Sequence, residues 1–179
     1  MKKEENVLNL FFEEPTKQWH FENIIKTAKI SRPQAAQWLK NFAKKYLIKR
    51  IKTKGKMPHY IANYESEEYQ ISKKLFALNK LAETGFFSDL KKLTKAKTII
   101  LFGSMSRWDW HKDSDIDLFV YGSSEGLNKN FYRGKLHKEI QIFECKDKRD
   151  LAKYKPALLK NILEGQLIKG NLDFVEIHA

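Results

Sequence analysis

Three amphipathic helices are predicted from the spacing of apolar residues in the first third of the chain. The first ends near Pro15, and the second covers about 21–29. The third begins after Ser31, a residue type that caps helices, with Pro33 in the first turn, where its missing N–H group is not needed. Its predicted buried face consists of four apolar residues at helical spacing, Ala35, Leu39, Phe42 and Tyr46.

Two short strands are predicted directly after the third helix. Residues 47–52 and 58–62 flank a Lys-Gly-Lys sequence at 54–56, a pattern that is typical of a β-hairpin. Three helices followed by a basic hairpin resemble the winged helix-turn-helix family. In that family the third helix enters the major groove and the hairpin, called the wing, lies along the DNA backbone. The resemblance therefore implies a DNA-binding domain over residues 1–64.

Two groups of residues would contact double-stranded DNA if the resemblance holds. Polar residues of the third helix would contact base edges, namely Gln34, Gln37 and Asn41. Basic residues of the third helix and the wing would contact phosphates, namely Arg32, Lys40, Lys44, Lys54 and Lys56.

The distribution of charge also favours a polyanionic partner for the first half of the chain. The net charge is +12, and residues 1–95 hold 20 Lys and Arg against 10 Asp and Glu, whereas residues 96–179 hold 14 against 12. Residues 23–64 contain 11 basic residues and no acidic one. Because solvated surfaces ordinarily mix both signs, this stretch indicates a nucleic-acid partner.

Composition predicts a soluble cytoplasmic protein with no membrane partner. Cys145 is the single cysteine, which excludes an internal disulfide framework and is typical of a reducing compartment. No apolar run approaches the roughly 20 residues that span a bilayer. The charged N-terminus, which leads into only a short apolar stretch, argues against a signal peptide.

The second half of the chain has a different pattern. Residues 65–85 are predicted to form one connecting helix, and a short helix follows at 86–93. Residues 98–102 are a continuous apolar run rich in β-branched residues, which is typical of a buried strand. A second strand is predicted over 115–120, where apolar residues alternate with acidic ones at its start.

The candidate functional residues lie at the end of the first of these strands and at the start of the second. Asp115 and Asp117 alternate along the second strand, so their side chains point the same way and can bind one hard cation such as Mg²⁺. Gly103 follows the first strand and lets the backbone come close to a ligand. A helix that begins at Ser104 would present free N–H groups to phosphate. The pattern therefore predicts a site for a metal and a phosphate compound.

The sequence Leu-Phe-Gly-Ser, ten residues, then Asp-Ile-Asp-Leu resembles the signature of the DNA polymerase beta nucleotidyltransferase superfamily. The small size of the domain resembles the minimal branch of that superfamily. The resemblance implies an α/β (α+β) fold over 86–179, with a mixed β-sheet flanked by helices. It also implies transfer of a nucleoside monophosphate, AMP in the first instance, from an NTP to an acceptor hydroxyl, with Mg²⁺ or Mn²⁺ bound.

The same resemblance implies roles for five residues. Gly103, Ser104 and Arg107 would bind the nucleotide, with ATP as the favoured NTP. Asp115 and Asp117 would hold the metal and act in catalysis. This chain departs from the family pattern after the serine, where Arg107 is followed by a tryptophan rather than a glycine.

Active members of the superfamily carry a third carboxylate on a later strand. The matching strand here is predicted at 138–143, and the preferred register places Gln141 at that position. A glutamine side chain cannot ionise and is a poor base. Glu139 lies two residues earlier on the same face and would supply the third, catalytic carboxylate, as metal ligand or base, if the register slips. The sequence leaves both assignments open.

Three functions stay open at this stage. The first is an active transferase whose acceptor is a partner protein, as when minimal nucleotidyltransferases modify a HEPN-type toxin and act as its antitoxin. The second is a DNA-binding regulator whose nucleotidyltransferase domain senses nucleotide or is inactive. The third, a template-independent polymerase or tRNA-modifying enzyme, is less favoured because the chain has little room for domains that grip a primer. A homodimer is compatible with each of them.

Overall fold

The computed structural model describes residues 3–175, so residues 1–2 and 176–179 of the predicted domains lie outside the described part. The chain forms two compact units. Among the described residues, unit 1 is built from 3–73 and 110–112, and unit 2 from 74–109 and 113–175. None of the helices in the described residues combines the length and the apolar character that crossing a bilayer requires.

The described residues of unit 1 form three complete helices, the start of a fourth and a three-stranded antiparallel sheet. Its elements, in chain order, are α1 (Lys3–Glu13), β1 (Trp19–His20), α2 (Phe21–Ala28), α3 (Arg32–Lys44), β2 (Ile48–Ile51) and β3 (His59–Ala62). The predicted hairpin is present as β2 and β3, and the strand order is β1-β3-β2. The two-residue strand β1 was not predicted, because two residues carry no periodicity; it pairs with β3 through Trp19 and Tyr60.

The helix α3 begins as the sequence predicts. The Ser31 Oγ accepts a hydrogen bond from the Gln34 backbone N–H, and the Gln34 side-chain oxygen accepts one from the Ser31 backbone N–H, so the two residues form a capping box. The prediction that Tyr46 continues the buried face of this helix is wrong. The helix ends at Lys44, Tyr46 adopts a left-handed backbone conformation (φ 57°), and its side chain is 63% exposed.

Residues 110–112 are an integral part of unit 1. Trp110 is 2% exposed, and its indole N–H donates a hydrogen bond to the Lys73 carbonyl at 3.2 Å. Its ring lies edge-on to Phe12, with 6.2 Å between ring centroids. The Lys112 backbone N–H donates to the Glu13 carbonyl at 3.0 Å. The segment is therefore held by both packing and main-chain hydrogen bonds.

Unit 2 is an α/β unit built around one mixed sheet. The helix α4 (Glu67–Glu83) leads into it from unit 1. Its further elements are α5 (Phe86–Lys92), β4 (Ala96–Phe102), β5 (Ile116–Gly122), α6 (Lys129–Leu136), β6 (Ile140–Cys145), α7 (Lys148–Leu151), α8 (Pro156–Leu163) and β7 (Gln166–Lys169). The strand order is β6-β5-β4-β7, with β5 and β6 parallel and the other pairs antiparallel. The predicted mixed sheet with flanking helices is confirmed.

The sheet brings the ends of three strands to one edge. Phe102, the last residue of β4, pairs with Asp117 near the start of β5. Asp117 in turn pairs with Gln141 near the start of β6. Residues 98–102 of β4 and 118–120 of β5 are buried, which explains their apolar sequence and makes this edge a rigid support for the side chains on it.

Candidate functional site

Gly103 forms the turn at the end of β4. Its backbone is left-handed (φ 69°), and a Cβ atom built there would lie 2.2 Å from the Asp117 Oδ2. Both observations require a glycine, because any side chain would clash with the carboxylate. The predicted helix at Ser104 is instead a single 3₁₀ turn, Ser104–Ser106, since Arg107 returns to an extended conformation. The turn is fixed by a 2.8 Å hydrogen bond from the Ser106 hydroxyl to the Gly103 carbonyl.

The two aspartates lie beside this turn. Asp117 belongs to β5, and Asp115 comes one residue before the strand begins. Asp117 is half-buried, and its burial, together with the neighbouring Asp115, raises the pKa of its carboxyl group, while Arg107 opposes the shift. A carboxylate whose ionised form is disfavoured in this way is stabilised by a bound cation, and carboxylate oxygens suit Mg²⁺ or Mn²⁺. The donor set therefore fits a divalent metal.

Gln141 occupies the position next to the aspartate pair. Its side-chain Nε2 donates a hydrogen bond to the Asp115 Oδ2 at 2.5 Å. Glu139 precedes β6, its backbone carbonyl accepts a hydrogen bond from the Ile116 N–H, and its carboxylate forms an ion pair with Arg133 at 2.5 Å. Of the two residues that the sequence left open, the structure thus brings Gln141 to Asp115 and places the Glu139 carboxylate against Arg133.

Arg107 is held by two partners, Asp109 and Asn161, which the sequence analysis did not identify. Its Nε and one terminal nitrogen donate to the two Asp109 carboxylate oxygens at 3.2 and 3.1 Å, and its other terminal nitrogen donates to Asn161 at 2.8 Å. These bonds to Asp109 are the main reason why the pKa of Arg107 is raised. Arg107 and Asp109 have opposite charges and stand two residues apart, which was a local signal for their ion pair. Asn161 lies on α8, 54 residues away, and carried none.

The predicted nucleic-acid residues lie on exposed parts of unit 1. One face of α3 presents Gln37, Lys40, Asn41 and Lys44, all exposed and at helical spacing, and Lys54 and Lys56 are exposed at the hairpin tip. Two predicted residues have other contacts: Arg32 forms an ion pair with Glu22 at 2.8 Å, and the Gln34 oxygen is engaged in the capping box. Glu22 was overlooked because it stands just before the acid-free stretch.

Residues 88–173 match the family model described as "Polymerase beta, Nucleotidyltransferase". The match contains all the residues of the site at the sheet edge, and it supports a nucleotidyltransferase domain in this part of the chain. No curated protein matches the chain. One solved structure, "Crystal structure of Apo (heme-free) PefR", is similar over 46% of this chain and 72% of that chain, with 16% sequence identity and a TM-score of 0.37.

Proposed function

We propose that this protein transfers a nucleoside monophosphate, AMP in the first instance, from an NTP to an acceptor hydroxyl. The observation that carries the proposal is the close approach of Gly103 to Asp117, with Asp115 beside it. An open backbone next to two carboxylates suits a phosphate chain and a divalent cation together. The family match over residues 88–173 supports the same class of reaction.

Each residue of the site has a role in this proposal. The turn at Gly103 and Ser104 binds the phosphates, and Asp115 and Asp117 hold Mg²⁺ or Mn²⁺. When bound, the metal neutralises phosphate charge and orients the triphosphate. Arg107 adds positive charge near Asp117, and its hydrogen bonds to Asp109 and Asn161 hold it in place.

The reaction joins the acceptor oxygen to the α-phosphorus and breaks the bond to pyrophosphate. The proton of the acceptor hydroxyl must leave, and Gln141 cannot take it because an amide does not ionise in this range. Because this position supplies no base, we expect transfer by the wild type to be slow. A partner protein of HEPN type, modified on a side-chain hydroxyl in the manner of an antitoxin, is the acceptor that we propose.

The position of the label distinguishes this reaction from phosphoryl transfer. We expect that incubation with ATP labelled at the α-phosphate, Mg²⁺ and a candidate partner protein labels the acceptor and releases pyrophosphate. The γ-labelled nucleotide should leave the acceptor unlabelled and label the pyrophosphate. Label on the acceptor from γ-labelled ATP alone would contradict nucleotidyl transfer.

A second candidate function is a DNA-binding regulator that senses nucleotide without turnover. Gln141 favours it. Its side-chain amide is hydrogen-bonded to Asp115, which permits metal and nucleotide binding but supplies no base. Residues 110–112 favour it as well. They lie in the segment between Ser104 and Asp115, both of which belong to the site, and they form part of unit 1. A change in that segment on nucleotide binding would thus reach residues inside the unit that carries the basic α3.

Binding to double-stranded DNA should depend steeply on salt if α3 and the hairpin contact phosphates. We expect replacement of Lys40 and Lys44 by alanine to weaken binding and to reduce the slope of log affinity against log salt concentration by about 2, since each phosphate contact contributes about 1. Fluorescence anisotropy with a labelled duplex measures this slope. The matched control replaces Lys91 and Lys160, two exposed lysines of unit 2, by alanine. Equal slopes for both double variants would contradict the proposed interface.

A further inference from the structure

Two histidines lie next to each other on the small sheet of unit 1. His20 ends β1 and His59 begins β3, and the two residues are directly paired across these antiparallel strands. Directly paired residues of antiparallel strands project from the same face of a sheet, so both imidazoles lie on one side of it. Their ring centroids are 6.1 Å apart. Because the two histidines stand far apart in the sequence, no motif spacing indicates this pair.

A hydrogen bond determines which nitrogen of His20 can bind a metal. The His20 Nδ1 lies 3.3 Å from the Pro58 carbonyl oxygen. A carbonyl oxygen can only accept, so in the neutral ring Nδ1 carries the proton and donates it, and the lone pair of Nε2 is available. Histidines that bind metals commonly have this arrangement, in which the other ring nitrogen donates to a carbonyl or carboxylate oxygen. The bond to Pro58 therefore orients Nε2 of His20 as a ligand.

The distance between the two rings suits one tetrahedral metal ion after a small rotation. Zn–N bonds of about 2.0–2.1 Å at a tetrahedral angle place two imidazole centroids roughly 5 Å apart. The observed centroid distance of 6.1 Å is therefore longer by only about 1 Å. The side chain of His59 is partly exposed, so rotation about its side-chain bonds can bring a ring nitrogen to the same point as Nε2 of His20.

Two neutral imidazoles select a borderline transition ion rather than a hard cation. Imidazole nitrogens suit Zn²⁺, whereas Mg²⁺ and Ca²⁺ take oxygen ligands. The net charge of +12 also disfavours a cation that is held by charge alone. Within residues 3–175, groups of three or more metal-binding side chains are not found, so the pair is a two-ligand site whose remaining positions are open to water.

We propose that His20 and His59 bind one Zn²⁺ ion, His20 through Nε2 and His59 through one of its ring nitrogens. His20 is the residue that precedes α2, so the ion fastens the base of the β2–β3 hairpin to the start of α2. The inference goes beyond the proposed function, and neither nucleotidyl transfer nor DNA binding is needed for it. Because two protein ligands bind the ion instead of four, we expect a dissociation constant in the micromolar range.

Calorimetric titration of the full chain with Zn²⁺ tests the proposal. The chain carries Asp115→Asn and Asp117→Asn, which removes the other candidate metal ligands, and we call it the background protein. We expect it to bind about one Zn²⁺ ion per chain. His20→Gln and His59→Gln, each added to this background, should weaken binding by at least about tenfold. Loss of an outer-shell partner alone costs about 10- to 100-fold, and loss of a ligand should cost no less.

The matched control is His137→Asn in the same background. His137 is an exposed histidine of unit 2 with a left-handed backbone (φ 53°), a conformation that asparagine tolerates. This variant should bind Zn²⁺ as the background protein does. Thermal unfolding in EDTA shows whether each variant is folded. Added Zn²⁺ should raise the melting temperature only of the proteins that keep both His20 and His59, and added Mg²⁺ should raise none of them.

Three results would overturn the proposal. The first is a background protein that binds no Zn²⁺ in the micromolar range. The second is an equal Zn²⁺ affinity in the background protein and in folded His20→Gln and His59→Gln variants. The third is a loss of Zn²⁺ binding in His137→Asn as large as in the other two variants.

Discussion

Replacement of Gln141 by glutamate is expected to raise the rate of nucleotidyl transfer by about 100-fold or more. Gln141 pairs with Asp117 in the sheet, and its side chain reaches Asp115, so a carboxylate at this position would join the aspartate pair. A positioned general base contributes typically about 10²- to 10⁴-fold to such a step. The measurement is the initial rate of α-label transfer to the acceptor at saturating Mg²⁺ and NTP.

A second variant separates the gain of a base from the loss of the amide. Gln141→Ala also removes the hydrogen bond to Asp115, but it supplies no carboxylate. We expect it to transfer no faster than the wild type. The explanation would be wrong if Gln141→Ala accelerated transfer as much as Gln141→Glu. It would also be wrong if Gln141→Glu bound Mg²⁺ and NTP normally and gained no activity.

Replacement of Gly103 by alanine is expected to lower the affinity for Mg²⁺-bound NTP by at least about tenfold. The new Cβ would lie 2.2 Å from the Asp117 Oδ2, so the carboxylate must move away from its place beside the turn. The backbone at Gly103 (φ 69°, ψ −160°) lies in a region that is essentially restricted to glycine, so any other residue adds a strain of about 1–3 kcal/mol. Calorimetric titration measures the affinity, and thermal unfolding measures the strain.

Gly126→Ala is the matched control for this substitution. Gly126 also has a left-handed backbone (φ 97°), but the nearest atom to its Cβ position is a Leu93 methyl at 3.5 Å, an ordinary contact. It should therefore lose stability through backbone strain and keep the affinity for nucleotide. Equal nucleotide affinities in the two variants would show that the approach of Gly103 to Asp117 is unimportant for binding.

The core of unit 2 and the position of its site could be predicted because their signals are local. The apolar run of β4 and the alternation around Asp115 and Asp117 reflect burial in a sheet, and burial determines which residue types are tolerated. The alternation of Gln141 with Ile140 and Ile142 indicates its face of the strand, but a shift by two residues would keep that face and bring Glu139 to the same place. The pairing of Gln141 with Asp117 therefore needed the structure.

Other features depend on contacts between residues far apart in the sequence. Nothing near Arg107 indicates Asn161, which lies on a helix 54 residues later. The apolar Tyr46 fits the helical period, but the chain turns at that residue and exposes the ring. The division of the apolar residues of α4 also needed the structure, because the buried Tyr69 and Leu81 and the exposed Ile71 and Leu75 are equally apolar in the sequence.

The dissociation constant of Mg²⁺-bound ATP tests the central claim most directly, namely that the turn at Gly103 and the aspartate pair form one metal–nucleotide site. Calorimetric titration should be run on the wild type and on the variant with both Asp115→Asn and Asp117→Asn, with Mg²⁺ and with EDTA. We predict that the wild type binds ATP more tightly with Mg²⁺, and that the double variant binds at least about 100-fold more weakly and no longer responds to Mg²⁺. Mg²⁺-dependent ATP binding of equal affinity in the two proteins would contradict the assignment of the site.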